Sequence, residues 1–357
     1  MIEHIIRQFG FSPERFAIQK IGSGLINHTW KVFNDDEAYI LQRINSQVFR
    51  HPEEISENLR KIAGYLKQRH PSYLFVSPLI LPDGTSLLHT PENEHFRLFP
   101  FIRDSITLLT VENESEAYEA ASQFGRFTRL LKDFPVDRLA ITLPDFHNLA
   151  LRSQQFESAR ETAAEERLST ALHLTEKALK YQGISARYSE LMASGVLPKR
   201  VIHHDTKISN VLFNDRRKGL CVIDLDTVMP GYFISDVGDM MRTYLSPANE
   251  ESENYDSITV RTPFFKAIVA GYLAEMGEVL MPEEKQLFVY SGKFMIYMQA
   301  IRFLTDYLNG DKYYGAAYPA HNLVRAGNQF TLLERYMEKE TMFEQIAQDL
   351  CYAGIQS

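Results

Sequence analysis

His203-His204-Asp205-Thr206-Lys207-Ile208-Ser209-Asn210-Val211-Leu212-Phe213 and, a short way on, Val222-Ile223-Asp224-Leu225-Asp226 hold the densest chemistry of the chain. Apolar Val201-Ile202 and Val211-Leu212-Phe213 bracket the first run and read as short strands that would fix the loop between them. That loop presents Asp205 and, five positions later, Asn210; Asp224 follows fourteen positions further, at the end of another apolar run. Phosphoryl transfer asks for such groups. One carboxylate orients an acceptor hydroxyl and takes its proton, while an amide oxygen and a second carboxylate hold Mg2+ against a triphosphate. Asp205 is the candidate base, and Asn210 and Asp224 are the candidate metal ligands. Asp226 is a further metal-proximal carboxylate or a turn former. Lys207, two residues past Asp205, can pair with the transferring phosphoryl group or stay solvated. An isolated His-x-Asp is also a turn capped by its own carboxylate, so the weight rests on the positions together.

Around this stretch, the length of 357 residues suits two domains or lobes. With 45% hydrophobic and 24% charged residues the chain is globular rather than disordered. A net charge of −8 argues against non-specific binding to nucleic acid or anionic membranes, while leaving room for a local basic pocket. Two cysteines, Cys221 and Cys351, make neither a disulfide framework nor a zinc site. Residues 1–10 carry Glu3, His4 and Arg7 and lack the apolar run of a leader, and no stretch is long enough to span a membrane. The expectation is a soluble cytoplasmic protein with small-molecule ligands and no obligate protein partner.

The first hundred residues read as short strands with one helix. A helix is expected over 2–9, and strands over 16–21, 29–33 and 39–44. Residues 52–68 place Ile55, Leu59, Ile62 and Leu66 on one helical face. Strands are expected over 74–81 and 86–89, flanking Pro82-Asp83-Gly84-Thr85, and over 95–100. Beyond residue 102 the pattern turns helical, over 115–133, in one long helix within 148–182, and over 185–194. A β patch follows at 200–203, 210–213 and 220–225, then helices over 262–277, 284–308 and 330–340. This is an α+β chain in which a small β-rich lobe, residues 1–101, precedes a large helical lobe, 102–357, with a hinge at Phe99-Pro100-Phe101. Gly22-Ser23-Gly24 is a glycine turn before a strand, and it is not a P-loop because no Gly-Lys-Ser/Thr follows.

His203-x-Asp205-x4-Asn210 with Ile223-Asp224 resembles the catalytic loop and metal segment of the aminoglycoside phosphotransferase-like kinases. Further resemblance, closest to the N-acetylhexosamine 1-kinases, lies in Cys221 to Gly231, in Arg302-Phe303-Leu304-Thr305-Asp306-Tyr307-Leu308-Asn309-Gly310-Asp311, and in Gly22 to Asn27 and Tyr39 to Asn45. The resemblance implies a protein-kinase-like bilobal fold and an ATP- and Mg2+-dependent enzyme. It implies that Gly22, Ser23 and Gly24 approach the phosphates and that adenine lies against Phe99 and Phe101. It implies that His203 braces the loop and that Asp236 and Asp239 hold it. Such kinases place a lysine on the third strand. Here Ile40-Leu41-Gln42-Arg43-Ile44 has none, and strand alternation lets only one of Gln42 and Arg43 face the nucleotide. Arg43 can supply the charge, with Glu57 as a candidate partner for it.

For the acceptor, the resemblance makes Arg302 a sugar contact. Asp306 shares its helix face at i, i+4, where a surface ion pair is the alternative. His28 is a candidate to reach over the acceptor, with a strand-surface position as its alternative; His204 has no assignable role. The implied reaction moves the γ-phosphoryl of ATP to a sugar hydroxyl, the anomeric oxygen of an N-acetylhexosamine. The alternatives are another small acceptor (a different sugar, choline, homoserine, an aminoglycoside) or a nucleotide-binding module without catalysis.

Overall fold

The structure, a computed structural model, describes residues 2–21, 27–81 and 83–353. After α1 (Ile2–Gln8), strands β1 (Ala17–Ile21), β2 (His28–Phe33), β3 (Ala38–Ile44), β4 (Leu88–His89) and β5 (His95–Pro100) form one antiparallel sheet in the order β1-β2-β3-β5-β4. Between β3 and β4 runs α2 (Pro52–Arg69). Alternation assigns the sheet's two faces. Val32, Leu41, Phe96 and Leu98 pack with Ile5 and Ile6 of α1 in a small core. The opposite face carries Gln42 and Arg97, which are directly paired between β3 and β5.

Residues 74–81 form no strand. Pro78 removes a ladder donor in their middle, and only single bonds such as Leu79 N–H to Leu98 O, 2.7 Å, tie the segment to the sheet. Ile55, Leu59, Ile62 and Leu66 of α2 are buried as their spacing requires, but they join the large core of the helical lobe. The helix is therefore a wedge shared by both halves.

The helical lobe comprises α3 (Glu114–Leu130), α4 (Leu149–Thr162), α5 (Glu165–Thr170), α6 (Leu172–Lys180), α7 (Gly183–Ser194), α8 (Phe233–Tyr244), α9 (Thr262–Met276), α10 (Pro282–Lys285), α11 (Phe288–Leu308), α12 (His321–Met337) and α13 (Glu340–Ala353). Asn113 caps α3 by accepting from Glu116 N–H. The long helix expected within 148–182 is three helices. Ala163 and Ala164 take extended backbone, and Arg167 of α5 donates to Tyr307 O at the end of α11. Helix-forming composition runs through the segment, but the faces of Phe156 and Ala159 and of Leu174 and Ala178 must reach different parts of the core. The expected 284–308 helix likewise divides into α10 and α11, and the last expected helix is two, α12 and α13.

Four short strands carry the β insert: β6 (Arg200–Ile202) pairs with β9 (Met229–Gly231), and β7 (Val211–Phe213) with β8 (Gly219–Val222). Ile106, just past β5, exchanges both backbone hydrogen bonds with Phe213 and so ties the hinge to the insert. Then α8 passes close under the insert. A Cβ on Gly238 would lie 2.3 Å from Ser291 O, so only glycine lets α8 pack this closely on α11. Among the described residues no helix is long and apolar enough to cross a membrane.

Candidate active site

The loop between β6 and β7 is held from below by α8. Asp236 accepts from the His203 and His204 N–H groups at 2.9 and 2.7 Å, and Asp239 accepts from Thr206 N–H at 2.9 Å. Three backbone donors of the loop, those of residues 203, 204 and 206, are thereby satisfied by two buried carboxylates. Burial pushes the Asp236 carboxyl up to about 6. Thr206 Oγ1 donates to Asp236 O, and Tyr244 Oη donates to Thr206 O at 2.5 Å. His203 is fully buried; its Nδ1 accepts from Asp205 N–H at 3.3 Å, so its Nε2–H donates to Ile223 O at 2.8 Å. This one imidazole fastens Asp205 to the residue before Asp224. His204 sits at φ 66° and is buried, with Nδ1 on Thr227 O at 3.0 Å; burial lowers it to about 3, so it stays neutral as a packing residue.

Asp205, Asn210 and Asp224 meet. Asn210 Nδ2 donates to Asp205 O at 2.9 Å and to Asp205 Oδ2 at 3.1 Å, while Asn210 O accepts from Ile223 N–H at 2.8 Å. Asp224 follows at φ 58°, a left-handed backbone that ends the β8 direction, and it stands exposed with Asp226 and Asp205 as its charged neighbours. Desolvation and the neighbouring charges of Asp226 and Asp205 together raise the Asp224 carboxyl to about 7. Lys207 Nζ lies 3.3 Å from Asp205 Oδ1, which raises the lysine further.

The sheet contributes one cation to this cluster, and it is not Arg43. Arg97 of β5, 1% exposed, places Nη1 2.5 Å from Asp226 Oδ1, and its Nε and Nη2 donate to Gln42 Oε1 at 3.1 and 2.8 Å. Arg43 stands on the other face of the sheet with Leu41, 2.5 Å from Glu94. Alternation puts Gln42 toward the cleft, and the Arg43 expectation is corrected accordingly. Glu57 pairs instead with Arg60, one turn along the exposed face of α2, and reaches no strand cation. His28 pairs across the ladder with Arg43 and lies beside Trp30, so it too faces away from the cleft. Asp226 also accepts from Asn27 Nδ2 at 2.8 Å, and Asn27 Oδ1 accepts from Asn45 N–H at 3.0 Å. Asp226 is thus a clasp between the two halves. Arg97 and Asn27 were missed in the sequence; an arginine inside the apolar run Phe96-Arg97-Leu98-Phe99 was the available signal.

At the hinge, the Arg97 guanidinium stands 5.0 Å from the Phe99 ring centroid, and Lys31 Nζ is 4.1 Å from that of Phe101. Gly22, Ser23 and Gly24 lie outside the described residues. In the helical lobe, Arg302 approaches the rings of Phe146, Tyr313 and Tyr314 at 5.7, 5.9 and 5.5 Å, and Phe146 lies beside His204. A pocket of about 350 Å³ opens there, lined by Arg152, Arg302, Asp306, Tyr313 and Tyr314 among others. Asp306 makes no ion pair with Arg302. Its oxygens accept from Tyr313 N–H at 2.7 Å, Tyr314 N–H at 2.9 Å and Asn322 Nδ2 at 3.1 Å, so it shapes the aromatic loop. Glu250 bridges Arg242 and Arg325, whose charges hold it down at about 2 against the effect of burial, and Arg242 in turn holds Asp239.

This arrangement can bind a metal-chelated polyanion between the sheet and the insert, and a hydroxyl at Asp205. Residues 17–279 match the phosphotransferase enzyme family. An aminoglycoside phosphotransferase from Alicyclobacillus acidocaldarius shares the fold at TM-score 0.66, with 11% identity over 96% of this chain and 95% of that one. A microcompartment-associated aminopropanol kinase does so at 0.63, with 16% identity over 95% and 97%. An amicoumacin kinase in complex with AMP-PNP, Ca2+ and Ami does so at 0.54, with 13% identity over 95% and 93%. With its protein-kinase-like fold of antiparallel sheet and helical lobe, the chain belongs to the phosphotransferase enzyme family.

Proposed function

We propose that the chain transfers the γ-phosphoryl group of ATP to the anomeric hydroxyl of an N-acetylhexosamine, with Mg2+ as cofactor. The observation that carries the reading is the meeting of Asp205, Asn210 and Asp224 around one cleft, fastened by His203 and the Asn210 amide. The donor set fits a hard divalent cation. Both hydrogen bonds from the Asn210 side chain use its Nδ2, which leaves Oδ1 for a metal, and the mutual repulsion of Asp224, Asp226 and Asp205 is what such a cation relieves. Asn210 and Asp224 would hold the ion, with Asp226 behind them. When bound, it would neutralise charge on the β- and γ-phosphates.

Asp205 accepts the proton of the acceptor hydroxyl, and the Asn210 amide on its Oδ2 fixes the carboxylate's direction. Lys207, already beside Asp205, offsets charge on the phosphoryl group in flight. Arg97 takes the place of the third-strand lysine by holding Asp226. Phe99 and Phe101 bound the adenine.

Charge on the acceptor side favours a neutral sugar over an amino alcohol or aminoglycoside. Among the described residues Arg152 and Arg302 have no carboxylate partner, and the one carboxylate lining their pocket, Asp306, is consumed by backbone donors. A cationic acceptor would meet uncompensated positive charge. Arg302 and the Tyr313–Tyr314 rings offer hydrogen bonds and flat apolar surface to a sugar. A panel of N-acetylglucosamine, N-acetylgalactosamine, glucose, ethanolamine, 1-amino-2-propanol and an aminoglycoside, read by phosphorus NMR, tests this. A sugar 1-phosphate from the N-acetylhexosamines is the expected product; phosphate on an amino alcohol or aminoglycoside alone contradicts the acceptor.

A further inference from the structure

Outside the cleft, three side chains converge where α2 begins beneath the β4–β5 hairpin. His89 and His95 are directly opposed residues of β4 and β5, so both rings leave the same face, 4.7 Å apart. Glu53, in the first turn of α2, brings Oε1 to 3.5 Å from His95 Nε2 and 3.9 Å from His89 Nδ1. One ligand atom from each residue lies within 4.8 Å of the other two. Metal bonds of about 2.0–2.1 Å in a tetrahedron put neighbouring ligand atoms about 3.4 Å apart, so the spacing is close to closing on an ion.

The surroundings hold these groups in place. The turn between the histidines is pinned by Thr90 N–H to Glu94 O and Asn93 N–H to Thr90 O, both 3.0 Å. Ser46 Oγ lies 3.1 Å from His95 Nδ1, which leaves Nε2 directed at Glu53; a bond to the other ring nitrogen is the usual means of orienting a metal-binding imidazole. Among the described residues Glu53 has no lysine or arginine partner. His95 is buried, whereas His89 and Glu53 are about half exposed, so one side stays open for water as a further ligand.

We propose that Glu53, His89 and His95 form a site for a divalent transition metal, zinc by its donor set, that clamps the start of α2 to the β4–β5 hairpin. Two imidazoles and a carboxylate suit Zn2+, Co2+ or Ni2+ rather than the magnesium assigned to the cleft. The test is a Co2+ titration of the full chain, with excess Mg2+ occupying the cleft carboxylates. The expected result is one equivalent bound with the visible absorption of four-coordinate cobalt, and a melting temperature raised by Zn2+. His89→Ala and Glu53→Gln should each weaken Co2+ binding at least about tenfold while leaving the metal-free melting temperature and the kinase turnover unchanged. Equal affinity in wild type and both variants, or no saturation of wild type below millimolar Co2+, overturns the site. If His89→Ala melts early without metal, the near-isosteric Glu53→Gln decides alone.

Discussion

The loop between β6 and β7 and the five-stranded sheet supply charge to one cluster in opposite ways. In the loop, Asp205, Lys207 and Asn210 are neighbours in sequence, and β6 and β7 fix their directions within a few residues. In the sheet, the cation comes from β5, is oriented by Gln42 of β3, and ends on Asp226 of the other lobe. A local constellation is set by spacing, whereas a cross-strand one is set by which sheet face becomes the cleft. The second therefore depends on the whole fold.

Substitutions can break each side separately. Asp224→Asn should have the largest effect, removing several kcal/mol of transition-state stabilisation, read as loss of ADP release with saturating sugar. The same change should stabilise the metal-free protein. The folded carboxyl is raised to about 7, above its unfolded value, so its ionisation costs stability increasingly as pH rises from about 4 to 7 and fully above that. Thermal melts without divalent ions should show the Asn advantage growing over that window and constant above it; an advantage confined to low pH would contradict the sign. Arg97→Met comes next. It strands Asp226 in a buried position, which typically costs about 3–5 kcal/mol, measurable by urea unfolding, together with weaker ATP binding.

Asp306→Asn should cost about 1.5–3 kcal/mol, since it weakens charge-assisted bonds to the Tyr313 and Tyr314 N–H groups. Its kinetic signature is a raised KM for the sugar with little change in KM for ATP. Arg43→Gln, on the opposite sheet face, should change stability by less than about 1 kcal/mol and leave the ATP KM alone. An Arg43→Gln effect on ATP as large as that of Arg97→Met would reverse the assignment of the two faces.

Much of the lower site was legible because its distances in sequence are short. The His203 brace and the Asp236 and Asp239 anchors stand where the motif implies them. The β lobe and its inserted helix were legible from alternation and from the Ile55–Leu59–Ile62–Leu66 spacing. Other elements were not, for nameable reasons. Residues 148–182 have helical composition throughout, and only the shape of the core breaks them at Ala163 and Ala164. Ser235, Asp236, Gly238 and Asp239 disfavour a helix locally, yet packing against α11 and the loop's need for two carboxylates make α8 one. Asp306 faced the acceptor by periodicity alone, and the loop that consumes its oxygens lies outside its helix.

In the proposed reaction Asp205 is the base while Asn210 and Asp224 hold the metal nucleotide. Asp205→Asn separates the two roles. The measurement is ADP release with N-acetylglucosamine beside titration calorimetry of the Mg2+-nucleotide on the same preparation. The expected result is nucleotide affinity close to wild type and turnover lower by about 10²–10⁴-fold. Wild-type-like turnover in that variant would contradict it.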